Sequence, residues 1–175
     1  IFDGNRPLSI FSIPGAEKTA IEFNSLSKSF NLAGARIGYV IGDEAFLKPL
    51  ATLKSHLDYG VFLPIQKAAV EALTGDFSFL ETHRQTYENR RNVFVEQLNH
   101  IGWSVRKPDG GMFIWAKIPP SYSSLSFSLA TLDQGVVVTP GHAFGQHGEG
   151  YVRIALVQPE QKLIEAANRI KSLLN

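Results

Sequence analysis

Residues 25–39 read SLSKSFNLAGARIGY and connect two segments that have the composition of β-strands. Before them, "AIEFN" (20–24) alternates apolar and polar residues. At their end, "RIGYVIGD" (36–43) is rich in β-branched and other apolar residues. The alternation and the apolar run each predict a strand. The connection itself contains one lysine, Lys28, between serines, and one arginine, Arg36, near two glycines. It is therefore either a polar surface turn or a functional loop held between two strands.

The residue types around Lys28 suit a phosphorylated aldehyde. A lysine side chain forms Schiff bases with carbonyl compounds when its surroundings favour the neutral amine. Ser25 and Ser27 offer hydroxyl groups, and Arg36 offers a planar guanidinium that matches a phosphate group. The lysine could bind the aldehyde while Ser25 and Arg36 bind the phosphate. Taken singly, each of these residues is better explained as a solvated surface side chain.

Composition limits the possible functions of the chain. Its 175 residues correspond to one domain or to parts of two. Seventeen basic and sixteen acidic residues give a net charge of +1, so a basic surface for nucleic acid is not indicated. The absence of cysteine excludes disulfides and thiolate metal sites, and the five histidines lack the spacing of metal ligands. The apolar runs are too short to span a membrane.

Helices and strands are mixed along the rest of the chain. Helices are predicted from Asp43 to Leu57, from Pro64 to Gly75, from Asp76 to about residue 100, over 123–134, and after Pro159. Strands are predicted at 103–108 and 112–118, joined as an antiparallel hairpin, and at 135–140 and 151–157. This order indicates an α/β or α+β protein. A boundary between two structural units fits best within the long helix at 76–100.

Four segments resemble, in order, motifs of the class I/II aminotransferases, the fold-type I enzymes that use pyridoxal 5′-phosphate (PLP). They are the lysine segment at 25–39, "PIQKAAVEAL" (64–73), "DGGMFIWAKIP" (109–119) and "VVVTPGHAFGQHGEGYVRIAL" (136–156). The resemblance covers nearly the whole chain and corresponds to the C-terminal half of the family. It implies an α/β fold in which residues 1–88 end the PLP-binding large domain and begin the interdomain helix. Residues 89–175 would form the α+β small domain.

The resemblance also implies roles for individual residues. Lys28 matches the catalytic lysine that forms a Schiff base with PLP and then moves the proton between the substrate Cα and the cofactor. Ser25 and Arg36 match the phosphate contacts, and Ser27 is a further candidate for cofactor binding. Arg153 matches the arginine that binds the substrate α-carboxylate, a group that a guanidinium grips with two hydrogen bonds. No metal ion is implied. Gly141, Phe144 and Gly145 resemble a loop that closes over the substrate, or they form a plain turn.

The activity implied by the resemblance is transfer of an amino group from an amino acid to a 2-oxo acid. The parent enzyme would be a cytoplasmic homodimer of amino acid metabolism. The family also needs an aspartate on the pyridinium nitrogen, a ring-stacking aromatic residue, and an asparagine and a tyrosine near the 3′-oxygen. The 27 residues before Lys28 contain no good match for these groups, so the isolated chain is predicted to be inactive. Two alternatives stay open, namely a PLP-dependent lyase or synthase of the same fold, and a non-catalytic fragment or binding module.

Overall fold

The computed structural model describes residues 1–174, which form two compact units. One unit is Arg6–Thr82, and the other combines Ile1–Asn5 with the chain from His83 onward. The division falls near the start of a long helix. The assignment of residues 1–88 and 89–175 to two domains stays a prediction, and Asn175 lies outside the described residues.

The unit Arg6–Thr82 contains a two-stranded antiparallel ribbon and three helices. Strands β1 (Ile21–Ser25) and β2 (Gly38–Gly42) pair so that Ser25 lies opposite Gly38. Helix α1 (Leu26–Ser29) follows β1 directly, and α2 (Glu44–Leu57) and α3 (Leu63–Thr74) follow β2. The predicted helix boundaries at Asp43, Pro64 and Gly75 are confirmed. The Asp43 carboxylate caps α2 by accepting a hydrogen bond from Ala45 N–H at 2.8 Å.

Few side chains of this unit are buried. Among its described residues, only Leu26, Ser27 and Ala69 are buried. Apolar side chains of the ribbon and helices remain in contact with solvent, including Phe23 on β1 and Phe62 before α3. The unit as described therefore buries little apolar surface of its own, which is the main driving force for folding.

The second unit has a hydrophobic core between a small sheet and three helices. Helix α4 (Ser78–His100) enters it, followed by β3 (Phe113–Lys117), α5 (Ser124–Asp133), β4 (Thr139–Pro140), β5 (Tyr151–Ala155) and α6 (Glu160–Ile170). The strands form an antiparallel sheet in the order β3-β5-β4. One face of the sheet and one side of each helix supply the core, which includes Phe94, Leu98, Ile114, Phe127, Val152, Ile154, Leu163 and Ala167. Because side chains alternate along a strand, the other sheet face carries Trp115 and Arg153.

The predicted hairpin over residues 103–118 is wrong. The partner of β3 is β5, and residues 103–108 form no strand. The indole of Trp103 is buried and donates from Nε1 to the carbonyl of Lys117 at 2.6 Å. The backbone N–H groups of Trp103 and Val105 donate to Leu98 and Asn99 at the end of α4. These donors are thus used at the helix terminus, where they are unavailable to a strand. Of the predicted strand at 135–140, only Thr139–Pro140 pairs with β5.

Residues 1–5 are fixed to the second unit. Phe2 is buried, and its N–H donates to the carbonyl of Asp109 at 2.9 Å. The carboxylate of Asp3 accepts two hydrogen bonds of 2.8 Å from the guanidinium of Arg91, a side chain with no exposed surface. This pair joins the start of the chain to α4. None of the helices within residues 1–174 has the length and apolar character needed to cross a membrane.

Candidate functional site

The segment around Lys28 is held at the point where β1 runs into α1. Ser25 ends β1 and caps α1, because its Oγ accepts the N–H of Ser27 at 3.2 Å. The N–H of Leu26 donates to the carbonyl of Ile37 at 3.2 Å and extends the β1–β2 pairing by one step. The Leu26 side chain is buried at 2% exposure. Lys28 therefore projects as an exposed side chain from a short helix whose first residue is anchored.

A glycine is required opposite Ser25. At Gly38, an added Cβ would lie 2.4 Å from the carbonyl oxygen of Asn24, which is backbone and cannot rotate away. Any larger residue would separate the two strands at the point where they carry Ser25. The glycine at position 38 is thus explained by the close pairing of β1 with β2.

Arg36 retains hydrogen-bond donors for a ligand. Its backbone has φ 52° and ψ 48°, a left-handed conformation that ends the short helical turn Ala33–Ala35. Nη1 donates to the carbonyl of Ala33 at 3.0 Å, while Nε and Nη2 donate to no group within residues 1–174. The side chain is exposed. A guanidinium in this state can still bind an anion through two parallel hydrogen bonds.

The donor set of this segment fits PLP. Ser25, Lys28 and Arg36 are exposed, and the Ser25 hydroxyl keeps its proton for a ligand because Oγ acts as an acceptor for Ser27. A primary amine, a hydroxyl and a guanidinium are the groups that an aldehyde and a phosphate require. Ser27 is only 9% exposed, so its hydroxyl is less accessible than that of Ser25.

Arg153 lies in the second unit, in the middle of β5 on the face away from the core. Its side chain is half-buried. The guanidinium carbon is 4.3 Å from the centre of the Phe113 ring and 4.6 Å from the centre of the Phe144 ring. Within residues 1–174 the Arg153 side chain has no hydrogen bond and no ion pair. The cation is thus held by two aromatic rings, and its N–H donors are available.

Phe144 is carried by the loop between β4 and β5. Gly141 and Gly148 cross closely, since an added Cβ at Gly141 would lie 2.0 Å from the carbonyl oxygen of Gly148. Glu149 fixes the end of the loop by accepting hydrogen bonds of 2.7 Å from both the N–H and the hydroxyl of Ser124. These two hydrogen bonds hold the pKa of Glu149 below its ordinary value. The loop is therefore anchored at its base and at its end.

His142 completes this anchor and has a defined proton position. Its Nδ1 lies 2.8 Å from the Oγ of Ser124, a fully buried residue. A hydroxyl has one proton, and the Ser124 proton is directed to the carboxylate of Glu149. Nδ1 of His142 must therefore carry a proton and donate to Ser124. The Ser124 network (Ser124, His142 and Glu149) thus ties the loop to the start of α5.

The predicted site residues are divided between the two units. Ser25, Ser27, Lys28 and Arg36 share one short segment, and Arg153 belongs to the other unit. No sequence motif marks Phe113 or the Ser124 network as part of a site. Strand alternation could have indicated Phe113, which precedes Trp115 by two residues and shares its face. Within residues 1–174 no group of three histidine, aspartate or glutamate residues is arranged to hold a metal ion.

The family model described as "Aminotransferase class I and II" matches residues 7–170. "LL-diaminopimelate aminotransferase 2" of Trichormus variabilis is 43% identical over 171 residues, which are 97% of this chain and 44% of that protein. "LL-diaminopimelate aminotransferase" of Oleidesulfovibrio alaskensis is 44% identical over 172 residues, 98% of this chain and 44% of that protein. The crystal structure of an aromatic aminotransferase from Pyrococcus horikoshii superposes with a TM-score of 0.92 at 34% identity, covering 99% of this chain and 48% of that one. The chain spans about 44% of the length of the curated relatives.

Proposed function

Because this chain belongs to the class I and II aminotransferases, we propose that it supplies the lysine, the phosphate-binding residues and the substrate arginine of a PLP-dependent transamination. The observation that carries the proposal is the position of Lys28. The lysine is exposed on α1 directly after β1, with the Ser25 hydroxyl and the Arg36 guanidinium in the same segment. PLP, when bound, supplies an electron sink for the bond that breaks at the substrate Cα.

Each residue has a role that follows from its chemistry. Lys28 would hold PLP through the aldehyde group, and its amine would be the base that moves the proton of the substrate Cα. Ser25 and the free donors of Arg36 bind phosphate oxygens, and Ser27 contributes its backbone N–H to the orientation of Ser25. Arg153 binds the substrate α-carboxylate through donors that form no hydrogen bond to the described residues 1–174.

The substrates in this proposal are an amino acid and a 2-oxo acid. Several relatives above 40% identity are named LL-diaminopimelate aminotransferase, which makes LL-diaminopimelate the first amino donor to assay. Action as a homodimer in the cytoplasm is part of the same proposal and rests on family resemblance. An assay for the appearance of the amino group on a 2-oxo acid separates transamination from lyase or synthase chemistry.

The test is reduction of the PLP-loaded complete enzyme with borohydride, followed by peptide mapping. We expect the cofactor to be fixed to the peptide that contains Lys28. Lys28→Ala should remove both the label and transamination, because the amine that binds the aldehyde and moves the proton is lost. Lys48→Ala is the matched control, since Lys48 is an exposed lysine on α2, and it should keep both. A label on any lysine other than Lys28 would contradict the proposal.

A further inference from the structure

The Arg153 side chain is stabilised in a way that differs from an ordinary ion pair. A half-buried cation usually has a carboxylate or carbonyl partner, which occupies its N–H donors. Arg153 has no such partner within residues 1–174. Its guanidinium carbon lies instead over Phe113 at 4.3 Å and over Phe144 at 4.6 Å. The attraction between a cation and a ring face holds the charge and leaves the N–H groups free.

The two rings are themselves fixed by the fold. Phe113 begins β3 and pairs with Ala155, so it lies beside Arg153 on the outer face of the sheet. The ring centres of Phe144 and Trp115 are 5.6 Å apart, with an angle of 78° between the ring planes. Trp115 in turn stacks on Tyr151, with ring centres 5.5 Å apart and ring planes at 14°. The loop that carries Phe144 is tied to α5 by the Ser124 network. The rings are thus supplied by two separate segments, β3 and the loop between β4 and β5.

We propose that Phe113 and Phe144, which we call the aromatic bracket, are positioning residues for the carboxylate-binding arginine. This inference rests on the proposed role of Arg153. The bracket restricts the guanidinium before the substrate arrives, so less side-chain freedom is lost when two hydrogen bonds form to the carboxylate. Within residues 1–174 it stabilises the charge without using the N–H donors, which leaves them available to the substrate carboxylate.

Phe144 is the better residue for a test because it is 50% exposed and lies outside the hydrophobic core. Phe144→Leu keeps an apolar side chain but removes the ring face. Phe144→Tyr keeps the ring and is the matched control. In the complete PLP-loaded enzyme, we expect Phe144→Leu to raise KM for the amino donor by about three- to tenfold with kcat nearly unchanged. Phe144→Tyr should resemble the wild type, and the melting temperature of both variants should stay within a few degrees of it.

A second measurement does not depend on turnover. A monocarboxylate that lacks the amino group of the substrate is titrated into the same enzymes by calorimetry. Phe144→Leu should weaken its binding by the same factor as it raises KM. In the Arg153→Leu background, Phe144→Leu should have no further effect, because the bracket acts only through the arginine.

The outcomes separate the two proposals. If Arg153→Leu leaves KM and carboxylate binding unchanged, the proposed function of Arg153 is wrong. If Arg153→Leu weakens binding but Phe144→Leu does not, the aromatic bracket is overturned while the role of Arg153 stands. The bracket is also overturned if Phe144→Tyr is as harmful as Phe144→Leu, or if Phe144→Leu lowers kcat with KM unchanged, since the ring face would not then explain the effect.

Discussion

Replacement of Arg91 by methionine should strongly destabilise the second unit. Arg91 has no exposed surface and donates five hydrogen bonds, two to Asp3, two to the side chain of Asn92 and one to the carbonyl of Pro108. Its guanidinium carbon also lies 4.5 Å from the centre of the Phe2 ring. Methionine fills much of the same volume but offers no donor, so the carbonyl and amide oxygens lose their partner and Asp3 loses its hydrogen-bonded cation.

The expected loss in the free energy of unfolding is about 1–3 kcal/mol, because the oxygens of Asp3, Asn92 and Pro108 lose their hydrogen-bond donors. The charge pair itself adds little, because the Asp3 side chain is 45% exposed and keeps Lys107 at 3.4 Å. The assay is urea denaturation followed by the fluorescence of Trp103, which is buried at 4% exposure. Arg106→Met is the matched control. Arg106 forms a pair with Asp109 in which both side chains are exposed, so its loss should cost less than about 1 kcal/mol. Equal losses in the two variants, or no loss in Arg91→Met, would refute the reasoning.

The Asp3–Arg91 ion pair predicts how the stability of the protein changes with pH. Hydrogen bonds from Arg91 hold the pKa of Asp3 below its ordinary value of 3.8. A carboxyl whose folded pKa is lowered contributes stability that is present above its unfolded pKa and is lost as the pH falls through the folded pKa. The stability difference between wild type and Arg91→Met should therefore shrink as the pH is lowered below about 4. A difference that grows on acidification would contradict the assignment.

Three further changes test the candidate site. Arg153→Lys keeps the charge but loses the paired hydrogen bonds, so kcat/KM for amino donors should fall by an amount corresponding to about 2–4 kcal/mol, with the absorbance spectrum of bound PLP unchanged. Gly141→Ala should raise KM for the amino donor, because its Cβ would meet the carbonyl oxygen of Gly148 at 2.0 Å, and an unchanged KM would contradict this reasoning. Glu149→Gln should speed amide hydrogen exchange of residues 141–149, because the Ser124 hydroxyl and N–H lose a charged acceptor, and unchanged exchange there would argue against the Ser124 network as the anchor.

The parts of the fold that depend on local chemistry could be predicted from the sequence. The side chain of Asp43 caps a helix that begins one residue later, and Pro64 and Gly75 mark the two ends of another helix. The apolar positions of α4 and α6 recur at helical spacing, and Phe94, Leu163 and Ala167 are buried as that spacing predicts. In each case the information lies within a few residues of the element.

Strand pairing could not be predicted in the same way. Residues 103–108 and 151–157 could each pair with β3, and the DGG turn at 109–111 favours the nearer segment as a hairpin partner. The chain instead buries the Trp103 indole and uses the neighbouring backbone donors at the end of α4. Which of two candidate strands pairs with β3 is decided by these tertiary contacts, and alternation within a strand does not contain that information.

Part of the candidate site could likewise be predicted from the sequence, and part of it depends on tertiary contacts. Ser25, Lys28 and Arg36 lie within twelve residues, so their common location could be predicted from the sequence. The surroundings of Arg153 come from three segments, since Phe113 is forty residues before it and the anchor of the Phe144 loop is at Ser124. Sequence resemblance indicated the arginine, and only the fold shows what surrounds it.

Three arginines of this chain show how the use of donors separates structural from ligand-binding roles. Arg91 is fully buried and gives its donors to Asp3, Asn92 and Pro108, so an incoming anion would have to displace protein groups. Arg36 is exposed and gives one donor to Ala33, which fixes its orientation and leaves the rest for a phosphate. Arg153 is half-buried and gives no donor to any group within residues 1–174, because two ring faces stabilise its charge. Since a buried or half-buried cation without an acceptor gains most from a new anionic partner, Arg153 has the strongest physical reason of the three to bind a carboxylate.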